Sequence, residues 1–349
     1  MKLGAYYWDG WYARLPHWTE RLLNEFTCRM PVWGWLGDTV ENMQQQIDMA
    51  ADAGLKFFAF DWYYPQNGRI SGMNGAIDRF LQANNCNRLR QCLLVANHEG
   101  GRIFRDKWDD FCRMVLPYLT HETCLTVNGK PAIFIFHPGN LRDDLGGPEE
   151  ARKCLDQLRE QVKAAGKPGL CVISCCGAPR DADGNVSRDP AVWKKNCEDN
   201  EAIGFDVLSG YNYHRGRLKE GNQTDYIYPF EKLSEDYEYC WDQFATYSKL
   251  LYLPCVNGGW DCRPWEIGAQ LKGLNANRSC YSPDRTPVTQ YNHIVKTATW
   301  LKANSMKSAD DLAIIYAWNE NGEGGFIEPT IGDQGATLRA IARAIREQA

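Results

Sequence analysis

Eight short, nearly continuous apolar runs recur along the chain, at 3–8, 56–63, 92–98, 131–137, 170–177, 205–213, 251–259 and 312–319. Runs of this length with no polar face read as strands covered on both sides, the signature of a parallel sheet. Between most of them the apolar positions recur every three or four residues. In the segment 38–54, Val40, Met43, Ile47 and Ala50 share one face, Asp38 is placed to cap the start with Glu41 three residues on, and Gly54 follows the end. From Pro148 to Gly166 the same spacing joins Cys154, Leu158, Val162 and Ala165. The segments 292–304 and 336–348 supply two more helices. After the fifth strand the pattern is weak, and only a short helix is expected in "DPAVWKKNCEDNEA".

Alternating strands and helices over 349 residues predict α/β architecture, a single (β/α)8 TIM barrel occupying 1–349. A doubly wound open sheet would carry a Gly-rich phosphate turn after an early strand, and "YYWDGWYARLP" is not one. Helix-to-strand connections are tight, whereas the strand-to-helix segments 9–37, 178–200, 214–230 and 260–290 are long. Barrel enzymes place their chemistry on the face carrying those long loops.

Composition narrows the class of function. A net charge of -5 with no Lys/Arg-rich run argues against nucleic acid. No window reaches 18 apolar residues, so no membrane span is expected. Fourteen Cys are scattered through apolar runs such as "LCVISCCG" without zinc spacing, which fits reduced thiols. The first strand begins almost at Met1 with no signal-peptide pattern, so a cytoplasmic location is expected; a periplasmic or secreted one would need a signal peptide already removed. Thirteen Trp and seventeen Tyr are many for a chain of this size; most are expected to pack, and any beyond the needs of the core suit a cleft for ring-shaped ligands.

The expected strand ends are polar or aromatic nearly everywhere. They offer Tyr7 and Trp8; Asp61 and Trp62; His98 and Glu99; His137; Tyr211, Tyr213 and His214; Trp260 with Arg263 beyond; and Trp318, Asn319 and Glu320. Three histidines raise the question of a metal, but the first strand lacks the His-x-His of metal-dependent barrel hydrolases. Hydrogen bonding to substrate hydroxyls or to a neighbouring carboxylate is the expected role, with no metal and no cofactor. No Gly-x-Ser-x-Gly elbow is present.

The carboxylates carry the strongest signal. "YAWNENGEGGFIEP" (316–329) places Glu320 and Glu323 three residues apart, at the tip of the eighth strand, among Gly322, Gly324 and Gly325. Glycoside hydrolysis needs two carboxyl groups, one to protonate the leaving oxygen and one to act from the other side of the sugar or on its 2-OH. An exposed acidic turn is the competing explanation.

That segment resembles the "NEW-x-EG…EP" signature of glycoside hydrolase family 99, the endo-α-mannosidase-type enzymes, and of the related WbsX barrels of polysaccharide loci. "GAYYWDGWY", "MAADAGLKFFAFDWY" and "VNGKPAIFIF" resemble the family's first, second and fourth β/α units more loosely. The resemblance implies a TIM-barrel glycosidase. It makes Glu320 the residue acting on the 2-OH and Glu323 the general acid/base, with retention through a 1,2-anhydro sugar. Asn321 stands where the family usually has Trp, so the resemblance carries hydrolysis but not mannose specificity.

The expected partner is therefore a carbohydrate. A WbsX-like glycosyltransferase is one alternative, although "DAD" (181–183) is the only match to a nucleotide-sugar motif. A non-catalytic carbohydrate-binding barrel is another, but it has no need of the glutamate pair. The sequence assigns no oligomeric state.

Overall fold

The computed structural model describes residues 1–12, 17–65, 72–214, 227–265 and 280–348. Parts of the long segments expected after the first, sixth and seventh strands lie outside them.

All eight expected strands form. They are β1 (Lys2–Tyr7), β2 (Phe57–Trp62), β3 (Arg90–Val95), β5 (Lys130–Ile135), β6 (Cys171–Cys175), β7 (Val207–Ser209), the two-part seventh strand β8 (Leu251–Tyr252) and β9 (Cys255–Asn257), and β10 (Leu312–Tyr316). A short β4 (Thr126–Val127) pairs antiparallel with β5. The parallel order is β8-β7-β6-β5-β3-β2-β1-β10-β9, so both edges of the sheet belong to the same stretch of chain.

The sheet curls into a barrel that is not fully closed by its ladder, and Pro254 is the reason. Without an N–H, proline cannot continue a ladder. Leu253 N still donates to Leu208 O at 2.9 Å on one side, and Ile314 N donates to Pro254 O at 3.0 Å on the other. The seventh strand thus changes partner at the Leu253–Pro254 step.

Ten helices among the described residues surround the sheet: α1 (Glu20–Asn24), α2 (Val40–Asp52), α3 (Gly75–Gln82), α4 (Trp108–Thr120), α5 (Pro138–Leu145), α6 (Pro148–Ala164), α7 (Pro190–Ile203), α8 (Phe230–Tyr247), α9 (Pro287–Ala303) and α10 (Ala336–Glu347). None is long and apolar enough to cross a membrane. Two expectations need correction. Thr39, not Asp38, caps α2, its side chain accepting from Asn42 N. The weak pattern after the fifth strand hides a full helix, α7, capped by Asp189 and ended by Gly204 at φ 97°. Its buried stripe of Trp193, Cys197, Asn200 and Ile203 contains a polar residue, because Ser174 Oγ on β6 donates to Asn200 Oδ1 at 2.6 Å.

The core fills both the barrel and the layer between sheet and helices. Strand alternation sorts the two. Tyr6 points inward, its hydroxyl reaching Gly210 O at 2.8 Å and Cys175 Sγ at 3.4 Å across the barrel. Tyr7, one residue on, packs outward against Phe58 and Phe60. None of the fourteen cysteines is in a disulfide, and only Cys28 is exposed.

Candidate active site

The chain leaves β10 into a small hairpin, β11 (Asn319–Glu320) with β12 (Gly325–Phe326). Its turn is closed by Glu323 N donating to Glu320 O at 3.1 Å. The glycines follow from crowding. Gly324 has φ +78°, and a Cβ there would stand 2.6 Å from Asp261 N. At Gly325 a Cβ would enter the ring of Tyr316. The hairpin is pinned from behind: Asp261 N donates to Glu323 O, and Arg29 donates to Asn321 O at 3.0 Å. Asn321 Nδ2 returns a bond to Arg29 O at 2.7 Å, and Arg285 donates to Phe326 O at 2.6 Å. Asn321 is thereby turned inward as part of the brace.

This brace presents both glutamates to the barrel mouth. Tyr211, just beyond β7, places its hydroxyl 2.7 Å from Glu320 Oε1 and 3.2 Å from Asp61 Oδ2 at the end of β2. Tyr316 donates to Glu323 Oε2, and the rings of Tyr211 and Tyr316 meet edge to face at 4.9 Å. Among the described residues, none of Asp61, Glu320 and Glu323 makes an ion pair. Asp61 Oδ1 and Glu320 Oε2 are buried without a hydrogen-bond partner.

The electrostatics follow from that isolation. Burial raises Glu320 well above the ordinary carboxylate range, and the charges of Glu323 and Asp61 push the same way against the bond from Tyr211. Burial likewise raises Asp61, aided by Glu323. Burial lifts Glu323 to about 7, with the Tyr316 bond opposing. Three neighbouring carboxyl groups in this setting cannot all ionise together, the condition under which acid and base roles can be divided among them.

Aromatic rings wall the mouth. Phe136 stands edge-on to Tyr211 at 5.0 Å and lies between His98 (5.6 Å) and His137 (5.1 Å). Burial lowers the pKa of both histidines. His98 Nδ1 lies 3.1 Å from Glu99 O; Glu99 itself is exposed. On the opposite side His214 stacks on Trp260 at 3.6 Å and 4°, and Trp260 tilts toward Tyr316 at 6.2 Å. Trp260 Nε1 is buried without a partner. Trp8 joins Trp11, His17 and Trp265 in a second aromatic cluster, and its Nε1 donates to Tyr63 Oη at 3.2 Å.

Glu320, Glu323, Asp61, Tyr211, His98, His214 and Trp260 thus gather at the mouth, with Trp8 one contact away through Tyr63. Other expected members do not. Tyr7, Trp62 and Trp318 point out of the barrel: Tyr7 onto Phe58 and Phe60, Trp62 onto Phe111 of α4, and Trp318 onto Phe58, with its indole N–H on Gln46 of α2. Tyr213 is core, bonded to the Tyr252 hydroxyl at 3.1 Å and packed on Tyr237 and Phe244. Arg263 grips Asp261 with two bonds, of 2.8 and 2.9 Å, and covers the Tyr281 ring. Asn319 ties strand ends together, accepting from Trp8 N and donating to Trp8 O.

Tyr63, at the end of the second strand and so among the strand-end residues to suspect, belongs to the site, and Tyr316 and Phe136 join it although the expected set omits them. The Tyr63 ring stands edge-on to His98 at 5.6 Å, and burial raises its phenol, with the charges of Asp61, Glu320 and Glu323 adding to the shift. The period of two through Leu312, Ile314 and Tyr316 was the available signal for Tyr316.

The curled parallel-stranded barrel is a fold shared with solved glycoside hydrolases. A "Glycoside hydrolase-like protein" superposes with a TM-score of 0.64 at 15% identity, over 98% of this chain and 93% of that one. The GH99 endo-α-mannosidase from Bacteroides thetaiotaomicron superposes with a TM-score of 0.62 at 15% identity, over 99% and 97%. No curated protein sequence matches. The family model described as "Glycosyltransferase WbsX" matches residues 37–341, and the chain belongs to that family.

Proposed function

We propose that this protein is a glycoside hydrolase that cleaves an oligo- or polysaccharide with retention of configuration. Glu323 is the general acid/base at the glycosidic oxygen, and Glu320 takes the proton of the sugar's 2-hydroxyl. The observation that carries this reading is the pair itself, held by a braced hairpin among unpaired carboxyl groups, with Glu323 poised at about 7. A general acid works best with a pKa near the working pH. Burying carboxyl groups without cations costs stability, which a merely binding barrel has no reason to bear. The walls of Phe136, Tyr63 and Trp260 supply faces for sugar rings. Asn321, drawn into the brace, leaves the sugar unassigned.

The family description favours a second reading, transfer to an acceptor sugar. The one nucleotide-sugar-like motif gives it little support, because Asp181 Oδ1 accepts from Asp183 N and Asn185 N within its own turn. The discriminating experiment is a panel of manno-, gluco- and galacto-configured α- and β-glycans, read for new reducing ends. We expect cleavage of at least one glycan, its loss on the order of 10²–10⁴-fold in Glu320→Gln and Glu323→Gln, and resistance of the matching 2-deoxy substrate. Product formed only with a nucleotide sugar and an acceptor would establish the transferase instead.

A further inference from the structure

A phenol has one proton, and Tyr211 faces two carboxyl groups with it. Its oxygen lies 2.7 Å from Glu320 Oε1 and 3.2 Å from Asp61 Oδ2. It can donate to only one of them. If the other were ionised, two lone pairs would face each other in a buried site, so that carboxyl must supply a proton of its own. The lengths indicate which. Hydrogen bonds from O–H to an anion are the short ones, and neutral ones are longer. The short contact is to Glu320.

We infer that Asp61 is a positioning residue that holds a proton in the resting protein: Asp61 O–H donates to Tyr211, and Tyr211 donates to an ionised Glu320. No net proton moves; with Asp61 neutral its charge no longer adds to the upward push that burial exerts on Glu320, and the Tyr211 bond favours the ionised form. The role of Glu320 as base rests on the hydrolase reading, whereas the protonation pattern does not.

The surroundings agree. The titratable groups facing Asp61 are Tyr63 on its own segment, Cys175 on β6, Tyr211 after β7, and Glu320 and Glu323 on the hairpin. Among the described residues none of these is a cation, so nothing there holds a second negative charge. The other oxygen, Asp61 Oδ1, has no donor among the described residues. Glu320 Oε2 is unpartnered in the same way, so the placing of the proton on Asp61 rests on the unequal distances from Tyr211.

Two variants test this. Asp61→Asn substitutes a permanent neutral donor for the carboxylic acid. Infrared difference spectra of wild type minus Asp61→Asn at pH 7 should show loss of a protonated-carboxyl stretch. Loss of a carboxylate band instead would overturn the inference whatever the protein's activity. Should Asp61→Asn not fold, Tyr211→Phe reads the same state: removing the acceptor of the Asp61 proton should shift one protonated-carboxyl band, and a shift confined to carboxylate bands would refute it. On a cleaved glycan, Asp61→Asn should retain kcat within about tenfold of wild type, while Asp61→Ala should lose about a hundredfold or more. Equal, large losses for both would mean that Asp61 works as an anion. A protonated Asp61 in a protein that cleaves no glycan would leave this inference standing and remove only the hydrolase reading.

Discussion

Two aspartates at barrel strand ends, Asp61 and Asp261, are almost equally buried, at 7% and 5% exposure. Their chemistry is opposite. Asp261 is gripped by Arg29 and bidentately by Arg263. Burial alone would raise it, but the Arg263 bond and the charges of Arg29 and Arg263 hold it below the ordinary range. Asp61 has one long contact to a phenol and, among the described residues, no cation, and burial raises it. A satisfied carboxylate is a fixed strut, and this one braces the hairpin through its backbone. An unsatisfied one is a proton carrier. Burial by itself marks neither; the partner does.

Removing the partner's partner should separate the two most sharply. Asp261→Asn removes the buried negative charge that Arg29 and Arg263 share and should destabilise the protein by about 3–5 kcal/mol, measured by urea unfolding, with the hairpin loosened. Asp61→Asn, by the same measure, should be neutral or stabilising. Equal destabilisation by both would erase the distinction between strut and proton carrier.

The next effect is in pH dependence. A group whose folded pKa is raised contributes stability that is whole below its unfolded pKa and is lost as pH rises through the folded value. For Glu323, raised from 4.5 to about 7, that loss falls between those two pH values. It amounts to on the order of 3 kcal/mol. Stability should therefore decline from pH 4.5 to 7 in the wild type and decline less in Glu323→Gln. A Glu323→Gln curve parallel to wild type would show that the glutamate is solvated like any surface carboxylate.

The smallest expected effect concerns the wall. Trp260 is stacked on His214 and has an unpartnered indole N–H. Trp260→Ala should weaken oligosaccharide binding by about 1–2 kcal/mol, roughly tenfold or somewhat more in Kd, by calorimetry on folded protein. Unchanged affinity would make the ring packing alone.

Most of the fold was legible because strands buried on both faces and amphipathic helices obey different periods. Where it was not, a polar group had entered a buried position. Asn200 breaks the apolar stripe of α7 because Ser174 on the neighbouring strand satisfies it. Pro254 splits a run that reads as one strand. The site was legible to the level of strand ends, not of faces. Tyr7 stands one residue from inward-pointing Tyr6, and Trp62 stands one from Asp61. A single step along a strand exchanges mouth for core, and the sequence marks the strand end less finely than that. Tyr316 was hidden the other way, as an aromatic residue in an apolar run whose hydroxyl meets Glu323 only after the chain turns back through the hairpin.

The central claim is that Glu323 gives a proton to the leaving oxygen, and the dependence of Glu323→Gln on the leaving group tests it most directly. Natural glycans need that proton, whereas aryl glycosides with acidic phenols scarcely do. The variant should therefore lose on the order of 10²–10⁴-fold on the glycan and little in the first step on the activated aryl glycoside. Glu320→Gln should lose activity on both alike. Equal, modest losses for both variants on both substrates would contradict the account and leave the two glutamates as parts of a turn.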